Sequence, residues 1–429
     1  GRARPPAQTS RCVVSPEKSS RHASPSRTRR VSPHNGASAA SAEPVSPATT
    51  PPIVAPWPTS RAVPSVASAI SWMPWSGACK PAPRSMHPPS RRAAVGLLIA
   101  ILILAGCGGS GEIHRQKAFV LGTVVDIAGT GVTEGTFQEA VGAAFRRMRR
   151  IHNALSTTGG ANQLANFNRA AHADWVPLEP PLRELLPRAA AMEQATAGAF
   201  RSTLGRLVAL WGFREPPFPD QPPADAAIRS LLAQGAGDAA LALRRRNGTL
   251  QARLTRPGAA LDLGGIAKGF ALDQAAAVLQ EHGVEQALIN AGGDMRALGR
   301  RGDRPWRVGI RHPRDPDRVL GIVALAPGEA IVTSGDYERF FRHAGQRHHH
   351  LLDPTTGRPA RAAQSATVIG PRATETDAWS TALFVRGAAG LAKLGPAQPG
   401  LVIDADGNAH ANAAMDERLE WRASTPSAP

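Results

Sequence analysis

The chain has 429 residues, 42% hydrophobic and 19% charged, with a formal charge of +17. The basic excess is uneven: up to Gly106 there are 13 Lys/Arg against 2 Asp/Glu, so +11 of the +17 falls there and about +6 is left for everything after it. Of Cys12, Cys79 and Cys107 only the last lies beyond Gly106, which excludes an intrachain disulfide in the longer, C-terminal part.

Residues 1–85 are rich in Pro, Ser, Ala and Arg and carry no sustained helical or alternating pattern. A basic, structureless arm suits an acidic surface or nucleic acid, yet no nucleic-acid module is recognisable. Met86 opens "MHPPSRRAAVGLLIAILILAGCGGS": Arg91 and Arg92 precede an apolar run from Ala93 to Gly106 of 14 residues. That is short of the roughly 20 residues a spanning helix needs, and it has the build of an export signal. Leu104-Ala105-Gly106-Cys107 resembles a bacterial lipobox, in which the cysteine thiol takes a diacylglyceryl group. The expectation is that translation starts at Met86, with 1–85 upstream of it or a disordered arm. Residues 86–106 are then a lipoprotein signal, Cys107 the lipidation site, 107–117 a short tether, and the protein is membrane-anchored in the cell envelope, facing the periplasm or exterior.

Along 118–413, expected to be one catalytic domain, the pattern mixes strands and helices. "AFVLGTVVDIAG" (Ala118–Gly129) is short and β-branched and reads as a strand. Phe137, Val141, Ala144, Phe145, Met148, Ile151 and Leu155 recur at helical spacing, with arginines opposite. Arg214–Asp225 is a Pro-rich surface loop. A helix from about Ile266 to His282 stops at Gly283, and "ALINAGGDMRALG" reads as strand, glycine turn, strand. "WRVGIRHP", "GIVALA" and "SATVIGP" are further strands, and a helix starts near Thr374. Strands and helices mixed without regular alternation predict an α+β fold. Residues 414–429 read as a polar, fraying tail.

Three stretches can carry chemistry. In "DLGGIAKGFALD", Asp262, the Gly264-Gly265 pair and Lys268 open a helix, an arrangement that suits a pyrophosphate or simply forms a glycine-rich turn. It is neither a P-loop nor the dinucleotide fingerprint. Asp377 and Thr381, four residues apart, share one helix face, where carboxylate and hydroxyl suit a hard cation such as Mg²⁺ or Ca²⁺; a dipole-favouring Asp and a packed Thr are the plainer account. In "HHHLLDPTTG", extended backbone sends His348 and His350 one way and His349 the other, so three imidazoles do not converge as zinc requires. A single histidine in proton transfer, beside Asp353, stays open.

In this order, "DLGGIAKGFALD", "ALINAGGDMRALG", "IVTSGDYERFF", "HHHLLDPTTGRP" and "TDAWSTALFV" resemble the FAD:protein FMN transferase (ApbE) family over about Ala118–Gly387. The resemblance implies an ApbE-like mixed α/β fold and an enzyme that takes FAD, releases AMP and joins FMN to a Ser or Thr of an acceptor protein, typically a membrane redox subunit. It implies Mg²⁺ on Asp377, Thr381 and the Gly265 carbonyl, with His350 activating the acceptor hydroxyl and Asp353 either orienting His350 or shaping the turn. Flavin-nucleotide contacts fall on Leu121, Asp262 and Lys268, with Thr333 and Ser334 bordering the pocket. Two positions depart from the family: "GAFR" (Gly198, Ala199, Phe200, Arg201) has Arg201 where an aspartate is usual, and Thr158 stands where an aromatic is common. Both lie in the flavin- or adenine-contacting region. Two other readings use the same residues: a Mg²⁺-dependent FAD pyrophosphatase yielding FMN and AMP, and a non-catalytic flavin-binding lipoprotein.

Overall fold

Eight strands form one sheet in which each strand lies beside its predecessor in the chain, every neighbouring pair antiparallel. They are β1 (His114–Val120), β2 (Thr123–Thr130), β3 (Gln286–Ala291), β4 (Asp294–Leu298), β5 (Ala330–Gly335), β6 (Ala363–Gly370), β7 (Gly400–Asp404) and β8 (Ala409–Ala411). All other elements are insertions into this meander. The computed structural model describes residues 112–157, 160 and 162–422. The expected leader, signal segment, Cys107 and Thr158 lie outside the described residues.

The helices cover one face of the sheet. α1 (Glu134–Leu155) starts where the Thr133 hydroxyl accepts the Thr136 N–H, and it buries the apolar stripe read from the sequence. It packs on α2 (Ala267–Glu281), α2 packs on α3 (Ala373–Arg386), and α3 lies on β5 and β6. α2 ends at Gly283, whose φ of +78° is open to glycine at little cost. The other face carries a three-stranded sheet of Trp306–His312, Asp315–Leu325 and Leu419–Trp421, and Ile331, Ile369, Trp306, Val323 and Leu419 fill the space between. The α+β expectation therefore holds.

Two boundaries differ from expectation. The single strand over Ala118–Gly129 is a hairpin that turns at Leu121-Gly122, with φ of +59° and +72°. A two-residue turn of this handedness favours Asn-Gly, and a left-handed leucine costs about 1–2 kcal/mol, so no turn signal marked it. The structured region also exceeds 118–413. β1 begins inside the expected tether, and the tail does not fray at 414: Met415 and Leu419 are buried, and Leu419–Trp421 pairs with Gly321–Val323.

Between α1 and α2 an insertion of short helices supplies Leu207, Trp211, Phe213 and Ile228 to a separate apolar cluster with Phe341 and Leu352. This cluster seats the histidine-bearing hairpin, Phe340–His343 paired with Gln346–His349.

Candidate active site

The contact between α2 and α3 builds the site. A Cβ on Gly269 would lie 2.1 Å from the Ala373 carbonyl oxygen and 2.9 Å from the Asp377 Cβ, so glycine alone permits this approach. Across it the Gly269 N–H donates to Asp377 Oδ2 at 2.9 Å. Asp273, one turn further along α2, caps α3 from outside: its carboxylate accepts the N–H groups of Ala373 and Thr374 and the Thr374 hydroxyl at 3.0, 2.9 and 2.6 Å.

This docking brings Gly265, Lys268, Ser334, Asp377 and Thr381 together. Thr381 Oγ1 would be 3.1 Å from a Cβ on Gly265, and the Phe200 ring lies on the same spot at 3.3 Å. The Ser334 hydroxyl meets those of Ser380 at 2.8 Å and Thr381 at 3.4 Å. Lys268 Nζ donates to Asp294 Oδ2 at 2.6 Å. Burial opposes the lysine's charge, but Asp294 and Asp377 outweigh it and the ammonium is held more strongly than usual. Asp377 is 4% exposed; burial, and then the like charge of Asp294, pushes its carboxyl well above the usual range despite Lys268 and the Gly269 N–H. Two buried carboxylates face one ammonium, so the cluster is short of positive charge.

His350 closes the site from the histidine hairpin. Its N–H donates to the Arg339 carbonyl at 3.1 Å, and ring Nδ1 lies 3.3 Å from the same oxygen. A carbonyl only accepts, so the ring proton sits on Nδ1 and Nε2 carries the free lone pair. Burial, then the charge of Arg339, pushes this imidazole well below its ordinary value, so it is neutral at pH 7. The Arg339 guanidinium reaches to 3.8 Å from a Cβ position on Gly264, which places it at the α2 entry. His349 turns away, donating from Nε2 to the Ala360 carbonyl at 2.8 Å and meeting Phe384 edge-on. His348 stacks between Trp211 and Phe341.

Several expected residues sit differently. The α2 entry is not a row of free donors: the N–H groups of Gly264, Ile266, Ala267, Gly269 and Phe270 go to Asp262, Leu263, Leu263, Asp377 and Ile266. An anion there meets the Lys268 ammonium more than helix-start N–H groups. Asp262 is engaged with Gly264 at 2.9 Å. Thr333 and Ser334 point to opposite faces of β5, as alternation requires; the Thr333 hydroxyl pairs with Thr367 at 2.9 Å, and only its N–H, bound to Asp294 at 3.1 Å, touches the site's network. Asp353 shapes its turn, accepting the Thr355 N–H at 2.8 Å. The Arg201 guanidinium is paired with buried Glu193 at 3.1 Å, and Glu193 also takes the Ser202 N–H and hydroxyl. Ala199 and Leu121 are partly buried against the main core. Asp294, Asp273, Ser380 and Arg339 were not singled out in the sequence. Asp294 follows a Gly-Gly turn, where an aspartate reads as ordinary turn chemistry.

The sequence profile described as the ApbE family matches residues 121–401. The chain belongs to the ApbE family. Among curated relatives, it is 36% identical to the FAD:protein FMN transferase of Rhodobacter capsulatus over 80% of this chain and 66% of that protein's length. It is 33% identical to that of Treponema pallidum over 76% of this chain and 94% of that one. The ApbE protein of Thermotoga maritima superposes with a TM-score of 0.64 at 32% identity, covering 72% of this chain and 99% of that structure. The flavin transferase ApbE of Vibrio cholerae gives 0.61 at 28%, covering 72% and 100%.

Proposed function

We propose that this chain is an FAD:protein FMN transferase. An acceptor Ser or Thr oxygen attacks the FMN phosphorus of FAD, the bond to the AMP phosphate breaks, and AMP leaves with the electron pair. The observation that carries this reading is the meeting of Lys268, buried Asp377, Thr381 and neutral His350 at the glycine-lined entry of α2. Nε2 of His350 takes the hydroxyl proton, because Nδ1 is committed to the Arg339 carbonyl. Lys268 supplies fixed charge for the diphosphate, while Asp294 holds the ammonium in place. Leu121, Ala199, Phe200 and Asp262 are placed on the flavin-nucleotide side by their correspondence with the family.

Asp377, Thr381 and the Gly265 carbonyl would hold Mg²⁺. The donors are all oxygen, as a hard cation takes, and a buried carboxylate cluster short of positive charge fits one. When bound, the cation offsets charge on the diphosphate. The same reading anchors the protein in the bacterial cell envelope through Cys107, supported by the lipobox-like "LAGC". A Cys107→Ser variant that stayed in the membrane fraction would remove that anchor from the proposal.

The decisive experiment incubates the protein with FAD, Mg²⁺ and an acceptor protein, following AMP by chromatography and covalent flavin by in-gel fluorescence. Labelled acceptor and AMP in equal amounts are expected. Free FMN and AMP without label would mean hydrolysis, and no AMP at all would end the enzymatic reading.

A further inference from the structure

Beside the histidine hairpin a cleft of about 340 Å³ opens, walled by Trp211, Pro222 and Pro359 and edged by His348, Arg358 and Arg361. His348 is 6% exposed, and its Nδ1 is buried with no hydrogen-bond partner among the described residues. A buried polar atom left unpaired is uncommon in a finished fold. Trp211 and Phe341 clamp the ring at 5.6 and 5.1 Å between centroids, so it cannot swing to find a protein partner. Arg358 is already neutralised by Asp225 at 2.6 Å. Arg361 is exposed and has no ion pair or hydrogen bond among the described residues, and it lies close enough to His348 for its charge to disfavour protonation of the imidazole.

The cleft is tied to the reactive end by two short chain segments. His348 lies in the cleft, and two residues on, about 7 Å along an extended backbone, His350 faces the α2 entry. Trp211 walls the cleft, while the Phe213 carbonyl accepts from Arg339 at 3.4 Å, beside His350. A hydroxyl held within about 3 Å of the His350 imidazole must bring its neighbouring residues past this cleft.

We propose that this cleft seats an acidic segment of the acceptor protein, with a carboxylate on Arg361, a backbone amide group on His348 and chain packed against Trp211 and the prolines. The proposal rests on the transferase reading and adds the chemistry of the partner. A small anion alone would satisfy Arg361 but leave the buried imidazole and the apolar walls without a role.

The test uses carrier-fused nonapeptides with one central Thr in an Ala/Gly background. A single Asp is walked through the other positions, and an Asp-free parent is compared. With the full-length protein, FAD and Mg²⁺, Asp at one or two neighbouring positions raises kcat/KM for labelling about tenfold, through the peptide's KM. Arg361→Ala abolishes that gain and leaves the parent's rate and the KM for FAD unchanged. His348→Phe, which keeps the stack and removes the nitrogen, weakens all peptides alike. A flat Asp walk, a gain that survives Arg361→Ala, or a raised KM for FAD in that variant would overturn the proposal. FAD split to FMN and AMP with no peptide labelled would instead remove the transferase reading, and the cleft's role with it.

Discussion

Gly269→Ala adds one methyl group where α2 and α3 touch. That Cβ would stand 2.1 Å from the Ala373 carbonyl oxygen and 2.9 Å from the Asp377 Cβ. Carbon–oxygen contacts settle near ~3.3 Å, so α3 must retreat from α2 by about 1 Å. No flexible side chain can yield instead, because the nearest obstacle is backbone at the capped start of a helix. The retreat stretches the 2.9 Å bond from the Gly269 N–H to Asp377 and shifts Thr381 relative to Gly265. A displacement of ~1 Å at a reacting centre costs on the order of 100-fold in turnover, and overpacking costs about 1–3 kcal/mol of stability. The assay is AMP release at saturating FAD and Mg²⁺, at a temperature where circular dichroism shows the variant folded. A folded Gly269→Ala protein with wild-type turnover would refute the argument that this contact positions Asp377.

Chelating Mg²⁺ should abolish AMP release, and Asp377→Ala should lower it at least about 100-fold, equivalent to ~3 kcal/mol or more of lost stabilisation; calorimetry on the variant should also lose Mg²⁺ binding, a readout independent of turnover. Burial lowers His349 from 6.5 to about 4, so the unfolded chain takes a proton that the folded one refuses. The stability involved is whole above pH 6.5 and is lost as pH falls towards 4, about 3 kcal/mol in all. Urea unfolding across that window should be flatter for His349→Gln, and an unchanged slope would contradict the burial of a neutral imidazole. Arg201→Ala strands buried Glu193 and should cost about 3 kcal/mol by thermal unfolding while leaving the KM for FAD within about twofold. A large rise in that KM would return Arg201 to the ligand.

Legibility followed the range of the interactions. The amphipathic α1, the glycine stop of α2 and the strand–turn–strand around Gly292-Gly293 depend on neighbours in sequence, and the structure has them where the periodicity put them. The Leu121-Gly122 turn was hidden because a leucine fills a left-handed position that local chemistry disfavours. Tail residues Met415 and Leu419 read as polar surroundings, yet a distant strand edge buries them. The Asp377 and Thr381 pair was visible as one helix face, whereas Asp294, the partner that fixes Lys268, comes from a strand start with no marking of its own.

The residue types and their order by themselves determined the family, the candidate metal face and the histidine segment, because these are properties of covalent neighbours. Only the tertiary structure decided which groups share charge: that Asp294 and Asp377 press on one ammonium, that Arg201 belongs to Glu193, and that the three histidines part into a stack, a core and an active site. Electrostatic interaction depends on distance and burial, and neither exists until the sheet has brought far-separated segments together.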